Sequence, residues 1–268
     1  MKQPIRIGAL ISGSGTNLQA IMDACASEDI DGRIVFIGSD NPDAAGLERG
    51  RRLNIPTFVV NYGSILRQYK KTPETVKVPD DFDLDAVLSK QTLFPADAGV
   101  ETTKTFFITR AAAEAELLDR MNPYPFDLLV LAGFMRNLTP YFIDRVNTVP
   151  DLLRIMNIHP ALLPAFPGID GYGDTFRYGC KIGGCTVHFV DYGEDSGPII
   201  GQKVYEISEE DTLASVREKG LKLEWELYPE CVKMFADGRL KKVRKTYPLK
   251  DGEKMHRTVV RILPSPQR

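Results

Sequence analysis

A histidine and an asparagine stand two residues apart in the segment Asn157-Ile158-His159-Pro160, directly after an apolar run. A histidine can act as a general base, or as a charged group facing a developing oxyanion, and an asparagine amide is an uncharged donor. Side chains two residues apart at a strand end point the same way. A turn-capping histidine beside a structural asparagine is the alternative, and these residues alone leave both interpretations open.

A second polar segment, Asp191–Pro198, forms a glycine-containing bend between two predicted strands. An aspartate in such a bend often only begins an Asx turn. It could instead orient and charge the histidine, as carboxylate partners of catalytic histidines do. His188 lies on the strand that leads into the bend, where pocket lining and core packing are equally compatible with the pattern.

The glycine-rich loop Ser12–Asn17 joins a buried strand to a helix. Backbone N–H groups at such a junction, together with the positive end of the helix, favour an anion such as a phosphate. No Gly-Lys-Ser/Thr follows, and Leu18 stands at the third glycine position of the dinucleotide fingerprint. The loop therefore favours a phosphate monoester over NAD, unless Gly13 and Gly15 serve only a tight turn.

Other classes of site are disfavoured. No Gly-x-Ser-x-Gly elbow is present, which argues against a serine hydrolase. Three histidines and four cysteines in no zinc spacing predict no metal site and reduced thiols. With 34 Lys and Arg against 36 Asp and Glu, the net charge of −2 supports neither a nucleic-acid nor a membrane partner. The cysteines are Cys25, Cys180, Cys185 and Cys231.

The elements that must position these residues alternate between strand and helix, which predicts an α/β fold with a doubly wound, mostly parallel sheet. Hydrophobic residues at 43% and charged residues at 26% are typical of a globular chain. The predicted strands are Ile5–Ile11, Arg33–Gly38, Pro56–Val60, Phe126–Ala132, Leu153–Asn157, Gly184–Val190 and its antiparallel partner Gly197–Val204. Helices are predicted around Leu18–Cys25, Ala44–Arg51, Asp83–Ser89, Ala111–Met121 and Thr212–Asp237.

Two segments depart from this alternation. Residues 61–110, after the third strand, are too long for an ordinary connection and are expected to be an insertion: a flap, an oligomer contact or a disordered stretch. The chain after residue 240 is basic, and it is expected to be a solvated tail or hairpin, or else an edge that attracts an anionic substrate.

Several motifs together resemble the formyltransferase family that uses 10-formyltetrahydrofolate. They lie within about residues 5–60 and 115–245, and Asn-x-His-Pro followed downstream by Asp-Ser-Gly-Pro is the most specific of them. The motifs are Ile11-Ser12-Gly13-Ser14-Gly15-Thr16-Asn17-Leu18, Leu131-Ala132-Gly133-Phe134-Met135-Arg136, Asn157-Ile158-His159-Pro160-Ala161-Leu162-Leu163-Pro164, Thr186-Val187-His188-Phe189-Val190, Asp195-Ser196-Gly197-Pro198 and Phe235-Ala236-Asp237-Gly238-Arg239-Leu240.

The resemblance implies a Rossmann-like formyltransferase fold and transfer of a formyl group to the amine of glycinamide ribonucleotide in purine biosynthesis. It implies Asn157, His159 and Asp195 as the catalytic residues. For the ribonucleotide and its phosphate it implies Gly15, Thr16, Asn17, Met135 and Glu224. For the folate it implies Arg136, Asn137, Leu138, His188, Val190, Asp191 and Glu194.

The expected co-substrate is 10-formyltetrahydrofolate, without a metal. We expect a cytoplasmic monomer or homodimer that binds small molecules, with a formyltransferase domain over residues 1–240 and a basic tail over 241–268. Ala165 stands where a Lys or Arg is common in this family. Part of the pattern resembles members that pass the formyl group to water, so water or another amine is the alternative acceptor. A folate or nucleotide binder without catalysis is disfavoured by the intact catalytic residues.

Overall fold

The computed structural model describes residues 3–95 and 97–265. The strands are β1 (Ile5–Ile11), β2 (Gly32–Ser39), β3 (Thr57–Val59), β4 (Leu128–Leu131), β5 (Ile155–His159), β6 (Ile182–Phe189), β7 (Ile199–Glu206), β8 (Leu240–Pro248) and β9 (Lys254–Ile262). The helices are α1 (Thr16–Ala26), α2 (Gly46–Arg52), α3 (Tyr62–Lys71), α4 (Leu84–Lys90), α5 (Val100–Met121), α6 (Pro140–Val146), α7 (Gly171–Arg177) and α8 (Leu213–Ala236).

In the described part of the chain, β1 to β7 form one sheet in the order β3-β2-β1-β4-β5-β6-β7. The pairs from β3 to β5 are parallel, and β6 and β7 are added antiparallel. The predicted doubly wound, mostly parallel sheet is therefore confirmed. Strand order reverses between β1 and β4, and ligands of open α/β sheets bind at the carboxyl ends of the strands at such a point.

The two faces of the sheet are covered by different helices, as the alternation of side chains along β1 requires. Ile7, Ala9 and Ile11 belong to a core cluster that also includes residues of α1 and α8. Leu10 belongs to a second cluster on the opposite face, with residues of α5 and α6. Because both faces are covered, β1 is almost entirely apolar and its bounds agree with the prediction.

Of the three forms expected for the insertion, the disordered stretch is wrong, because helices occupy most of the described residues within 61–110. They are α3, α4 and the first half of α5, with a single 3-10 turn at Pro73–Thr75. The short helix expected at Asp83–Ser89 is confirmed as α4. Helix α5 begins at Val100 rather than at Ala111, since the buried Phe107 stabilises a segment whose threonines and phenylalanines have low helix propensity.

The chain after α8 forms an antiparallel hairpin of β8 and β9, one of the two forms expected for it. Lys242 pairs with Asp151 at 3.1 Å, in the turn that precedes β5, so the hairpin attaches near the amino ends of the parallel strands. The positions 266–268 of the predicted tail lie outside the described residues. Within the described residues, no helix combines the length and apolarity needed to cross a membrane.

Candidate active site

A cavity of about 590 Å³ opens at the carboxyl ends of β4 and β5. Twelve of the fifteen predicted site residues line it: Asn17, Met135, Arg136, Asn137, Leu138, Asn157, His159, His188, Val190, Glu194, Asp195 and Glu224. Gly15 and Thr16 line a smaller adjoining hollow of about 230 Å³, which shares Asn17, Gly133 and Met135 with the cavity. Asp191 is not part of either lining, since its Oδ1 accepts hydrogen bonds from Gly193 N and Ser196 Oγ and closes the bend.

Asn157, His159 and Asp195 meet at one end of the cavity, although 36 residues separate Asp195 from His159. Asp195 Oδ2 lies 3.1 Å from His159 Nδ1 and accepts a 2.8 Å hydrogen bond from Gly168 N. Asp195 Oδ1 lies 3.5 Å from Asn157 Nδ2. The antiparallel pairing of β5 with β6 brings the bend beside β5, and this contact could not be read from the chain order.

Both ring nitrogens of His159 face acceptors, because Nε2 lies 2.7 Å from the carbonyl oxygen of Phe166. Only the imidazolium can donate to Phe166 and Asp195 at once. Burial nevertheless lowers the pKa of His159 below its usual 6.5, against the opposing effects of the Asp195 carboxylate and the Phe166 carbonyl. The hydrogen-bond partners of His159 thus favour the charged ring, whereas burial makes protonation of the ring costly.

The opposite balance holds for the carboxyl group of Asp195. Burial acts to raise its pKa, but the hydrogen bond with His188, the charge of His159 and the Gly168 N–H outweigh burial, so the pKa is lowered. Asp195 is therefore a carboxylate at neutral pH, as a partner of a charged histidine must be.

His188 orients the amide of Asn157. Its Nδ1 lies 2.9 Å from the Phe189 carbonyl oxygen, and its Nε2 lies 3.2 Å from Asn157 Nδ2 and 3.5 Å from Asp195 Oδ1. Asn157 Nδ2 also lies 3.5 Å from Asp195 Oδ1, so the same amide contacts both the His188 ring and the carboxylate. His188 is thus both pocket lining and a positioning group, and the sequence could not distinguish these roles from core packing.

Two carbonyl groups of the loop Ser12–Asn17 face α2. Gly13 O accepts from Gly46 N at 3.0 Å, and Ser14 O accepts from Arg49 Nε at 3.0 Å. Gly15 adopts the left-handed conformation, with φ of 68°, directly before α1. No side chain of the described residues caps the N–H groups at this helix start, so they are free to bind an anion in the smaller hollow.

Glu224 of α8 lies buried between two polar partners at the cavity wall. Its Oε2 accepts from Asn17 Nδ2 at 2.6 Å, and its Oε1 accepts from the hydroxyl of Tyr172. Burial raises the pKa of Glu224, although both hydrogen bonds act to lower it. Asn17 Oδ1 is also buried and has no partner among the described residues, so it remains available to a donor on a ligand.

Sequence reasoning missed Arg110, which lies on α5 and lines the cavity. Its guanidinium stacks over the rings of Tyr62 and Phe106, at 5.0 and 4.9 Å from the centroids. Burial lowers its pKa, and no carboxylate of the described residues forms an ion pair with it. The sequence signal for Arg110 was a lone arginine within an apolar helix face, but this residue lies at the boundary of the expected insertion.

The cavity therefore combines an anion-binding loop, an oriented amide, and a histidine with a carboxylate partner. Such a set can stabilise an oxyanion and move a proton without a covalent enzyme intermediate. Among residues 3–95 and 97–265, no three His, Cys, Asp or Glu side chains are grouped as metal ligands.

Comparison with known proteins assigns this chain to a family. The family described as formyl transferase matches residues 5–232. The phosphoribosylglycinamide formyltransferase of Escherichia coli (strain K12) is 33% identical over 241 residues, covering 88% of this chain and 90% of that protein. The Bacillus subtilis protein of the same name is 31% identical over 85% of this chain and 93% of its own length.

Solved structures agree with the sequence comparison. A crystal structure of glycinamide ribonucleotide transformylase 1 from Symbiobacterium toebii is 36% identical, covers 98% of this chain and 96% of its own, and superposes with a TM-score of 0.68. Because the family match spans most of the chain and includes every predicted site residue, the chain belongs to the formyl transferase family.

Proposed function

We propose that this enzyme transfers the formyl group of 10-formyltetrahydrofolate to the amine of glycinamide ribonucleotide, a step of de novo purine biosynthesis. The observation that carries this proposal is the meeting of Asn157, His159 and Asp195 beside an uncapped helix start. The names of the similar proteins support the same acceptor.

The ribonucleotide occupies the hollow and the adjoining end of the cavity. Its phosphate accepts hydrogen bonds from the backbone N–H groups of Gly15, Thr16 and Asn17, where the start of α1 favours negative charge. Glu224 accepts hydrogen bonds from donors on the ribose or the glycinamide, and Asn17 Oδ1 is a second acceptor there. Met135 separates this end from the folate.

The folate lies along the other cavity walls. Its ring contacts the segment Arg136–Leu138 and, on the bend, Val190 and Glu194, with His188 beneath it. Asp191 contributes by closing the bend through its hydrogen bonds with Gly193 N and Ser196 Oγ. Arg110 is suited to a carboxylate of the folate tail, because a guanidinium in apolar surroundings without an acidic partner gains most from a bidentate anion.

The amine nitrogen attacks the formyl carbon and forms a C–N bond, and the carbonyl electron pair moves to oxygen. His159 and the Asn157 amide stabilise this oxyanion, and the negative charge favours protonation of the histidine. The amine proton passes to N10 of the folate with the help of Asp195, acting through water. The C–N10 bond then breaks, which leaves N-formylglycinamide ribonucleotide and tetrahydrofolate.

The Phe166 carbonyl occupies the acceptor position at His159 Nε2 that the formyl oxygen requires. Phe166 has a positive φ of 53°, and Gly168 follows with φ of 100°. A shift of this backbone carbonyl away from the ring frees Nε2 for the substrate.

The proposal also includes the division of the chain and the setting in which it acts. It takes residues 1–240 as the formyltransferase domain and 241–268 as a separate tail. It further includes a cytoplasmic location, a monomer or homodimer, and no need for a metal.

The acceptor is tested by loss of the formyl group from 10-formyl-5,8-dideazafolate with and without glycinamide ribonucleotide. We expect turnover only with the ribonucleotide, and His159→Ala to lower kcat on the order of 100-fold or more. His256→Ala, on the exposed hairpin, is the matched control. Turnover without the ribonucleotide would instead identify water as the acceptor, and equal kcat for both histidine variants would reject the proposed catalytic group.

A further inference from the structure

The carboxylate of Asp40, at the end of β2, is buried between two loops of the site. Its side chain is 3% exposed. Oδ1 accepts a 2.5 Å hydrogen bond from Ser12 Oγ, and Oδ2 accepts a 2.5 Å hydrogen bond from Arg136 Nε. Ser12 begins the loop assigned to the phosphate, and Arg136 belongs to the segment assigned to the folate.

The two loops are also joined directly through Ser12. Its Oγ accepts from Met135 N at 2.8 Å, and its backbone N–H donates to Gly133 O at 3.0 Å. Asp40, Ser12, Met135 and Arg136 therefore form a closed ring of hydrogen bonds around one carboxylate. Displacement of either loop breaks at least one bond to a group that cannot find water, and such a group is costly to leave unpaired.

The ion pair uses only the Nε of Arg136. Both terminal nitrogens of the guanidinium have no hydrogen-bond partner within the described residues, and Arg136 lines the cavity. Asp40 thus fixes the plane of the guanidinium and leaves its two amino groups for a ligand. Removal of the carboxylate would leave Arg136 without its partner and free to change rotamer.

We propose that Asp40 is a positioning residue that couples binding of the phosphorylated acceptor to binding of the folate. This inference rests on the proposed function, because it requires that the two loops hold those two substrates. An anion on the first loop orders Ser12, Ser12 orders Asp40, and Asp40 holds Arg136 in place for the folate. By linkage, the folate strengthens binding of the acceptor by the same factor.

The coupling is measured with glycinamide ribonucleotide and 5,8-dideazafolate, which lacks the formyl group and forms a ternary complex without reaction. The Kd of the dideazafolate is determined by titration calorimetry with and without saturating ribonucleotide. We expect the ribonucleotide to tighten binding at least about five-fold in the natural protein, the lower end of typical couplings. In Asp40→Asn, which keeps the size and the acceptor for Ser12 but loses the charge, the factor falls toward one.

Asp43→Asn is the matched control, since Asp43 is an exposed aspartate of the same loop, and it should keep the full factor. Ser12→Ala breaks the ring from the other side and should also lower the factor, whereas Ser12→Thr keeps the hydroxyl and should restore it. A thermal melt of each variant checks folding, and the ratio of two Kd values for one variant does not respond to a uniform loss of stability.

An unchanged factor in Asp40→Asn, or a factor of one in the natural protein, overturns the inference. Either result leaves ribonucleotide-dependent turnover of the natural protein intact, so the proposed function would stand. Failure of the proposed function has a different signature, because the natural protein would then show no turnover with the ribonucleotide at all.

Discussion

His159 is held between a carboxylate that favours its charge and a buried environment that opposes it. The Asp195 contact and the Phe166 carbonyl satisfy both N–H groups of an imidazolium, while burial lowers the pKa of the ring. In the proposed mechanism the charged form is needed when the oxyanion develops, so we expect the Asp195 carboxylate to determine the pH range over which the site works.

Asp195→Asn tests this balance without a change of size. The carboxylate stabilises the imidazolium, so its neutral replacement lowers the pKa of His159 further, and the active charged form is lost at a lower pH. We expect the descending limb of the pH profile of kcat/KM to move to lower pH, with a reduced maximum. Asp251→Asn, exposed at the hairpin turn, is the control, and a limb that stays in place would contradict a role of Asp195 in charging the histidine.

At the scale of elements, the helices of residues 61–110 support the bend that carries Asp195. Thr92 N, just after α4, donates to the carbonyl oxygen of Tyr192 at 2.9 Å. The Tyr192 hydroxyl donates to Asp144 Oδ1 at 2.5 Å, and Lys90 Nζ reaches Asp144 Oδ2 at 2.6 Å. The bend is therefore fixed from outside by α4 and α6, and this segment has a structural task at the site.

Tyr192→Phe should loosen the bend and raise KM for the folate. Loss of one such hydrogen bond costs about 1 kcal/mol, or about five-fold in KM, with the KM for the ribonucleotide unchanged. Lys90→Met is the matched comparison and should have little effect, because Lys90 and Asp144 are 45% and 38% exposed and such pairs contribute little. Steady-state kinetics with each substrate varied in turn measures both constants, and equal changes in both would contradict support of the folate wall alone.

At the scale of the whole molecule, positive charge is concentrated in the hairpin, away from the site. Residues 240–262 contain eight Lys and Arg and two acidic residues, although the full chain has a net charge of −2. The hairpin is attached near the start of β5, and the site lies at its end, so roughly 17 Å of strand separates them. This exceeds the Debye length of about 8 Å at physiological salt.

Neutralising the hairpin should therefore leave catalysis unchanged. Lys241 lies opposite Arg261, and Lys245 lies opposite Arg257, so replacement of these four by Gln removes charge without disturbing the pairing. We expect kcat/KM for the ribonucleotide to stay within about two-fold at physiological salt. A larger fall that disappears at high salt would show that the hairpin attracts the anionic substrate. The unaltered chain, measured over the same salt series, is the control.

Local patterns were enough for the fold class, and they predicted site residues most of which line one cavity. Continuous apolar runs predicted buried parallel strands, and the bounds of β1 agree with the structure. Short motifs at strand ends predicted Asn157, His159 and the glycine loop as candidates, since the carboxyl edge of such a sheet is where ligands bind. Helix α3 and the first half of α5 were not predicted, although α4 was. The cluster that holds Phe107 of α5 joins it to Val87 of α4 and to Tyr141 of α6, so packing between elements rather than local propensity stabilises this segment.

The sequence by itself determined which groups are available, because residue type and local periodicity are properties of short segments. Tertiary structure alone decided which groups meet. The pairing of Asp40 with Arg136 spans 96 residues, and that of Asn17 with Glu224 spans 207. Such contacts depend on strand order and on burial of charge, and both are set by how the whole sheet and its two layers of helices pack together.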